Sequence, residues 1–312
     1  MSSEGKRASA THNPDAVADR GDAGLVSVVL PVRFVNRRWL ERSIRSVLEQ
    51  DYRNLELIVV NDEATEDIDD LVADLGVTKY VRNERNLKLP ASLNRGFALA
   101  EGRFHTWTSA DNYMLPGMIS TLVGALETHE GAGIVCGSSI DVDADGQLID
   151  WGGERRAAAL SGTRLEDCII QRRFLYYSTL GACFLYRREV TERLGGYDET
   201  LHGAEDYDFW IRASRHFQIL RLPIEAEPLY AYRAHGDAIS ATLRYCFTRL
   251  RAEVLRRELR VSPEDHHLRQ AYRHHRRLYR QEWLRHCLPV RAARSVVRRV
   301  ARRLRRRADG DA

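Results

Sequence analysis

The run FHTWTSADN, Phe104 to Asn112, places a carboxylate and an amide directly after an apolar stretch that ends at Trp107. A chain that leaves a core and at once presents Ser109, Ala110, Asp111 and Asn112 is lining the mouth of a cleft with polar groups. Two other stretches carry acids in useful arrangements. NDEATED, Asn61 to Asp67, directly follows the apolar run LELIVV, and in GAEDYDFWIR the adjacent acids Glu205 and Asp206 precede Phe209, Trp210 and Ile211. Neighbouring carboxyl groups raise one another's pKa, which suits a base working near neutrality. Acids at a helix start are also favoured by the helix dipole, and the two readings are compatible. Asp141, Asp143, Asp145 and Gly146 spell the opening of a calcium loop, but Gly152 stands where the bidentate Glu is required. An Asp-Gly hairpin turn is the expectation there.

The elements that must position these residues are legible from periodicity. Val26 to Val32 is a near-continuous apolar run of the kind buried on both faces of a parallel sheet. Asn36 is placed to cap a helix whose Leu40, Ile44, Val47 and Leu48 share a face. Leu55 to Val60, the segment TKYV, Phe104 to Thr108 and Gly133 to Ser138 read as further strands. Ile68 to Leu75 and the stretches opened by Pro90 and Pro116 read as the intervening helices. Strict alternation over residues 25–140 predicts a doubly wound α/β sheet, whose ligands bind outside the carboxyl ends of the strands. VRFVN, NDEATED and SADN all fall at such ends.

Composition bounds the rest. The chain has 312 residues, 44% hydrophobic and 29% charged, which fits a soluble globular protein, with no apolar run long enough to cross a bilayer. Residues 1–23, rich in Ser, Ala, Asp and Gly, are expected to be disordered. Five scattered cysteines without a CxxC pair predict reduced thiols, a cytoplasm-facing compartment and no cysteine metal site. Charge is unevenly spread. From Arg244 onward there are 21 Arg against 7 Asp or Glu, a net of +14, which leaves −10 on the preceding body of a chain whose total is +4.

In that tail Ala293, Val296, Val297, Val300, Ala301 and Leu304 fall at helical spacing among arginines. Such a helix can lie on an anionic membrane surface, pack on the acidic body or neutralise nucleic-acid phosphates. The lack of interleaved aromatics makes nucleic acid the weakest of the three. The histidine pairs beginning at His266 and His274 lack metal-ligand partners and read as solvated.

VSVVLPV, LIVVNDEATED, NLKLPASLNRGFALAEGRFHTWTSADN and GGYDETLHGAEDYDFWIR, in that order, resemble the family 2 glycosyltransferases of GT-A fold over roughly residues 25–242. The resemblance implies inverting transfer of a sugar from a nucleotide-sugar donor, with a UDP-sugar expected, to a glycan or lipid-linked acceptor hydroxyl. The setting it implies is synthesis of cell-surface polysaccharide or glycoconjugate, assisted by Mn²⁺ or Mg²⁺. Matched residue by residue, it implies that Asp62 binds the donor base, Asp111 holds the metal and Asp206 is the acceptor base with Glu205 beside it. Pro31, Arg33, Asn94, Arg95 and Ser109 are implied around the donor. YRAHGDAIS implies Arg233 on the diphosphate and His235 in the metal shell. This chain departs from the family pattern at Glu63-Ala64, where Gly-Ser is usual, and at Ser109-Ala110, where the family's acidic metal element has acids.

The organisation expected is therefore a disordered N-terminal segment (1–23), a GT-A domain (24–242) and an Arg-rich helical C-terminal extension (243–312), cytoplasmic, with the inner membrane face as one candidate location. A degenerate, non-catalytic carbohydrate- or nucleotide-binding relative is one alternative, raised by the thinned acidic element. A sugar-nucleotide pyrophosphorylase is another, although PVRFVNRRW lacks the glycines its phosphate loop would need, and no P-loop, GxSxG or GxGxxG element appears.

Overall fold

The strand β1 (Val26–Val32) is buried along almost its whole length and pairs in parallel with β2 (Leu55–Asn61) on one side and β4 (Phe104–Trp107) on the other. Its continuous run of apolar residues is what a strand covered on both faces requires. The computed structural model describes residues 24–149, 175–176, 180–223, 226–239 and 244–282. The N-terminal segment 1–23, expected to be disordered, and the amphipathic stretch from Val290 to Arg307 lie outside the described residues.

With β3 (Lys79–Arg82), β6 (Ala132–Cys136), β8 (Phe184–Arg187) and β9 (Gln218–Arg221), the main sheet has the order β3-β2-β1-β4-β8-β6-β9. Only β8 runs antiparallel to its neighbours. The chain steps outward from β1 to β3 and then crosses to the opposite side for β4, so the strand order reverses beside β1 and β4. That is the crevice where a doubly wound sheet binds its ligand. A smaller sheet, β5 (Tyr113–Met114), β10 (Tyr230–Arg233) and β7 (Ser139–Val142), stands next to it in the order β5-β10-β7. This second sheet brings Arg233 and His235 alongside Asp111.

Two apolar cores cover the two faces. One takes Leu40, Ile44 and Val47 from α1 (Arg37–Leu48), Leu71 and Val72 from α2 (Asp69–Asp74), and Met118, Ile119 and Leu122 from α4 (Met118–Thr128). Asn36 caps α1 by accepting from the Trp39 amide at 3.2 Å. The other core takes Leu93 and Phe97 from α3 (Leu89–Ala98), Val190 from α5 (Arg188–Leu194), and Tyr207 to Ile211 from α6 (Glu205–Ala213). It continues through Val254 and Leu255 of α7 (Arg244–Val261) to Leu268 and Ala271 of α8, residues 266–282. The charge therefore changes near residue 243 while the core does not break there.

His275 corrects one expectation. Its ring is buried, with Nε2 2.8 Å from the Leu175 carbonyl, and burial pushes its pKa down to about 4. The helical Arg-rich context suggested solvation, but the α8 face that carries Leu268 and Ala271 also carries His275. The calcium-like run is the expected hairpin, with Asp143 N–H donating to the Gln147 carbonyl and Ile149 N–H to that of Asp141.

Helix α3 approaches β1 closely because Gly96 has no side chain. A Cβ there would stand 2.4 Å from Cγ1 of the buried Val29. Gly96→Ala should therefore destabilise by about 1–3 kcal/mol despite alanine's better helix propensity. Gly124→Ala, with nothing within 4 Å of the new carbon in α4, should be neutral or stabilising by up to about 1 kcal/mol. Urea denaturation of both variants checks the contrast, and equal stabilities would refute the close approach.

Candidate active site

Asp62 leaves β2 with its carboxylate turned into the crevice wall, 3% exposed. Its Oδ1 accepts from Asn83 Nδ2 at 2.8 Å and Leu87 N–H at 2.7 Å, and Oδ2 accepts from Lys88 N–H at 3.0 Å. Lys88 adopts φ +76°, a conformation disfavoured for a side-chain-bearing residue, as the 83–88 loop wraps the carboxylate. Two carboxylate oxygens offer about four acceptor directions, and three are taken. One direction on Oδ2 is left for an N–H donor of a ligand. Arg95 stands behind this group rather than in front of it, its Nη1 donating to Asn83 Oδ1 at 2.5 Å.

The modified turn after Asp62 is held by the loop after β1. Glu63, in the place where the family usually has glycine, takes φ +57°. Arg33 binds its carbonyl and lies 3.5 Å from its carboxylate, and Thr65 N–H donates to the Arg33 carbonyl at 2.8 Å. Arg33 Nε is buried without a partner among the described residues, leaving one N–H for an incoming anion. Pro31 sits inside β1, paired in register with Val60.

At the end of β4, Asp111 Oδ2 lies 2.8 Å from His235 Nε2, and Asp111 Oδ1 is buried with no hydrogen-bond partner among the described residues. An orphan carboxylate oxygen beside an imidazole nitrogen is a donor pair that fits Mn²⁺ or Mg²⁺. Among the described residues no cluster of three or more His, Cys, Asp or Glu is placed to hold a metal. The protein would thus supply two ligands, with the donor's phosphate oxygens and water supplying the others. Ser109 shapes the turn, its Oγ accepting from Asn112 Nδ2 at 2.6 Å and its carbonyl from Ser43 Oγ at 2.9 Å.

Arg233 departs from the expected role. It is 2% exposed, and its guanidinium donates to the carbonyls of Asp111 at 2.9 Å and of Asp143 and Ala144 at 2.8 Å each, while lying 4.9 Å over the Trp39 ring. Burial pulls its pKa down from the usual arginine value. Its N–H groups face loop carbonyls, so it braces the Asp111 turn from behind instead of reaching out towards a diphosphate. Asn94 is likewise committed to the protein. Its amide brackets the backbone of Tyr197, donating at 2.9 Å and accepting at 2.8 Å, and so anchors the loop that leads to Glu205.

The acids Glu205 and Asp206 open α6. Glu205 is 4% exposed, with Oε2 accepting from Gly203 N–H at 2.6 Å; Asp206 is partly exposed, with Oδ1 accepting from Tyr207 N–H at 2.6 Å. Burial first, and then the Asp206 charge, pushes the Glu205 pKa well above the carboxylate range. Burial raises that of Asp206 as well, against the opposing charge of Arg251. Asp206 is the one of the pair that can meet an acceptor.

Periodicity did not single out Trp39, Asn83, Lys88 or His202. Trp39 had a signal, an indole outside the apolar stripe of α1, and its Nε1 donates to the Ala144 carbonyl at 3.1 Å. His202, three residues before Glu205, has a buried Nδ1 without a partner among the described residues. Burial and the charge of Lys88 lower its pKa while Asp62 opposes them, which places it in the electrostatic field of the Asp62 pocket.

Comparison with known proteins agrees with this architecture. An uncharacterized glycosyltransferase of Rickettsia prowazekii is 24% identical over 221 residues, covering 70% of this chain and 66% of its own length. One of Haemophilus influenzae is 27% identical over 226 residues, covering 70% and 68%. The chain thus spans about two thirds of the length of these relatives. Among solved structures, S. aureus TarS 1-349 superposes with a TM-score of 0.61 at 19% identity, covering 84% of this chain and 72% of that one. The mannosyltransferase PcManGT of Pyrobaculum calidifontis, in complex with GDP-Man and Mn²⁺, gives 0.57 at 17%, covering 76% and 64%. These likenesses establish the GT-A fold. The family model described as "Glycosyl transferase family 2" matches residues 27–195, more than half of the sequence, and the chain belongs to that family.

Proposed function

We propose that the protein transfers a sugar, with inversion, from a nucleotide-sugar donor to an acceptor hydroxyl. The observation that carries this is the set of acids around one crevice: Asp62 after β2, the Asp111–His235 pair after β4, and Asp206 at the start of α6. TarS has been solved with UDP-GlcNAc and PcManGT with GDP-Man and Mn²⁺, which supports a nucleotide sugar as the donor class. The free acceptor direction on Asp62 Oδ2 suits the N3–H of uracil, so a uridine donor is the form proposed. Asp111 and His235 would hold a divalent ion, whose chemistry there would be charge neutralisation of the diphosphate.

The proton goes to Asp206. As the acceptor oxygen attacks the anomeric carbon opposite the diphosphate, its hydrogen passes to the carboxylate of Asp206, whose raised pKa makes it a better base than an exposed aspartate. Glu205, buried beside it, fixes the turn by accepting from Gly203 N–H. The acceptor proposed is a glycan or lipid-linked hydroxyl of cell-surface polysaccharide or glycoconjugate synthesis, and the basic tail is proposed to bring the enzyme to an anionic membrane. Among the described residues no helix is long and apolar enough to cross a membrane.

Asp206→Asn should lower transfer by about 10² to 10⁴ while UDP still binds. Asp111→Ala should abolish the Mn²⁺-dependent part of UDP affinity measured by calorimetry, and CDP, which offers no N3–H, should bind wild type more weakly than UDP. Wild-type turnover in the first variant, or unchanged metal dependence in the second, would remove the mechanism.

Burial of Glu205 also predicts a pH effect. The free side chain titrates near 4.5 and the folded one near 8, so between these values the folded chain holds a proton that the unfolded chain has released. Stability from this group falls as pH rises through that window. Glu205→Gln should therefore be more stable than wild type at pH 8 and show little gain at pH 4.5, as read by denaturant titration. A gain of equal size at both values would assign the effect to packing.

Truncation after Pro289 should release the protein from anionic liposomes, and so should raised salt, since exposed charges are screened within about 10 Å at 0.1 M. Equal sedimentation of the full and shortened chains would leave the tail without a membrane role.

A further inference from the structure

Helices α7 and α8 enclose a cleft of about 430 Å³ together with Thr200 and Leu201 of the loop that precedes Glu205. Its wall carries Arg249, Arg256, Arg257 and Arg276 with the hydroxyl groups of Tyr272 and Tyr279, against one acid, Glu253. Glu253 is already shared, 2.6 Å from Arg256 and 3.3 Å from Arg257, and Arg257 also reaches Asp198 at 2.8 Å. The other two guanidinium groups have no carboxylate. Arg276 lies 6.0 Å from the Tyr272 ring centre, and neither it nor Arg249 makes an ion pair among the described residues.

We propose that this cleft is a second anion site, one that holds a phosphate group carried by the acceptor; the proposal rests on the transferase reading above. Arg249 and Arg276, with no carboxylate partner among the described residues, leave guanidinium donors for an anion, and planar guanidinium forks match phosphate oxygens. A multiply charged phosphate balances this wall better than a single carboxylate does. The 30 residues after Glu282 hold 10 Arg and 2 Asp and so offer this wall little counter-charge.

Position ties the site to the acceptor. Leu201 N–H bonds to the Asp198 carbonyl at 3.1 Å and Ala204 N–H to that of Leu201 at 2.8 Å, so the cleft wall runs directly into Glu205 and Asp206. The Asp111–His235 pair proposed for the donor diphosphate stands beside Trp39 of α1, whose apolar side packs in the other core. The two anion sites are thus separate, one for the leaving group and one for the incoming molecule.

The full chain, kept in EDTA to silence metal-dependent donor binding, would be titrated calorimetrically with inorganic phosphate, glycerol 1-phosphate, farnesyl phosphate and glucuronate. Saturable binding of the phosphate compounds, weakened at least tenfold in Arg249→Gln/Arg276→Gln, is the expected result. The single variant Arg249→Gln, at an exposed position, guards against misfolding and should weaken binding in the same direction. Preference for farnesyl phosphate would assign a lipid-linked acceptor and preference for glycerol 1-phosphate a polyol phosphate, and either upholds the site. No binding by wild type, equal binding by the variants, or glucuronate bound as well as phosphate would overturn it. A parallel titration of wild type with UDP and Mn²⁺ keeps the outcomes apart, since loss there would sink the donor reading alone.

Discussion

The arrangement of the crevice depends on one buried cation. Arg233 joins three segments far apart in sequence: the turn at Asp111, the hairpin carbonyls of Asp143 and Ala144, and the indole of Trp39 on α1. Its own N–H is fixed by Asn112 Oδ1 at 2.7 Å. A charge taken out of water is tolerated only where dipoles and aromatic faces replace that water, and here carbonyl oxygens do most of that work. Tyr113 completes the cage, with Arg42 at 3.7 Å and Arg233 at 5.8 Å from its ring centre. Because the guanidinium is planar and its donors have fixed directions, the three loops are held in fixed relation to one another. His235, two residues beyond Arg233, is thereby delivered to Asp111. The family's usual acids at positions 109 and 110 are absent, and this cage explains how a single carboxylate is held in place without them.

The Glu205–Asp206 end follows a different physical logic. Glu205 and Asp206 sit at a helix start, where free N–H groups favour negative charge, yet burial disfavours it. The outcome is a pair whose proton affinities are raised together, with only one member partly open to the crevice. Such a pair is costly to the fold at alkaline pH and useful to chemistry near neutrality. The cost is set against a packed aromatic layer below it, where Tyr197 stacks on Phe209 at 4.4 Å and Trp210 meets Phe184 at 4.9 Å.

The scaffold was legible in the sequence because its signals are local and repeated. The buried run Val26–Val32, the Asn36 cap and the Leu40-Ile44-Val47 face report backbone geometry directly, and each appears as expected. Arg233 and Asn94 were misassigned for a physical reason. Sequence gives the donor count of a side chain but not which acceptors are nearest, and in both cases those acceptors are backbone atoms more than 85 residues away. Lys88, Asn83 and His202 were invisible on the same ground, since their roles come from the closure of a loop around Asp62. His275 was read from its basic neighbours, whereas one helix face decided its burial.

Glu63 shows how the departures from the family pattern connect. A left-handed residue that is not glycine carries strain, and such strain persists only where neighbours over-determine it. Arg33 supplies that constraint by binding both the Glu63 carbonyl and its carboxylate, while Asn61 Oδ1 accepts from Ala64 N–H at 2.8 Å. The glycine's freedom has been exchanged for a clasp between the loops after β1 and β2. At Asp111, where Ser109 and Ala110 stand in place of acids, His235 Nε2 meets the remaining carboxylate and Arg233 holds its backbone carbonyl. In both places a local feature of the family is replaced by a contact across the crevice, which ties the geometry of the donor end more closely to the packing of α1 and the second sheet.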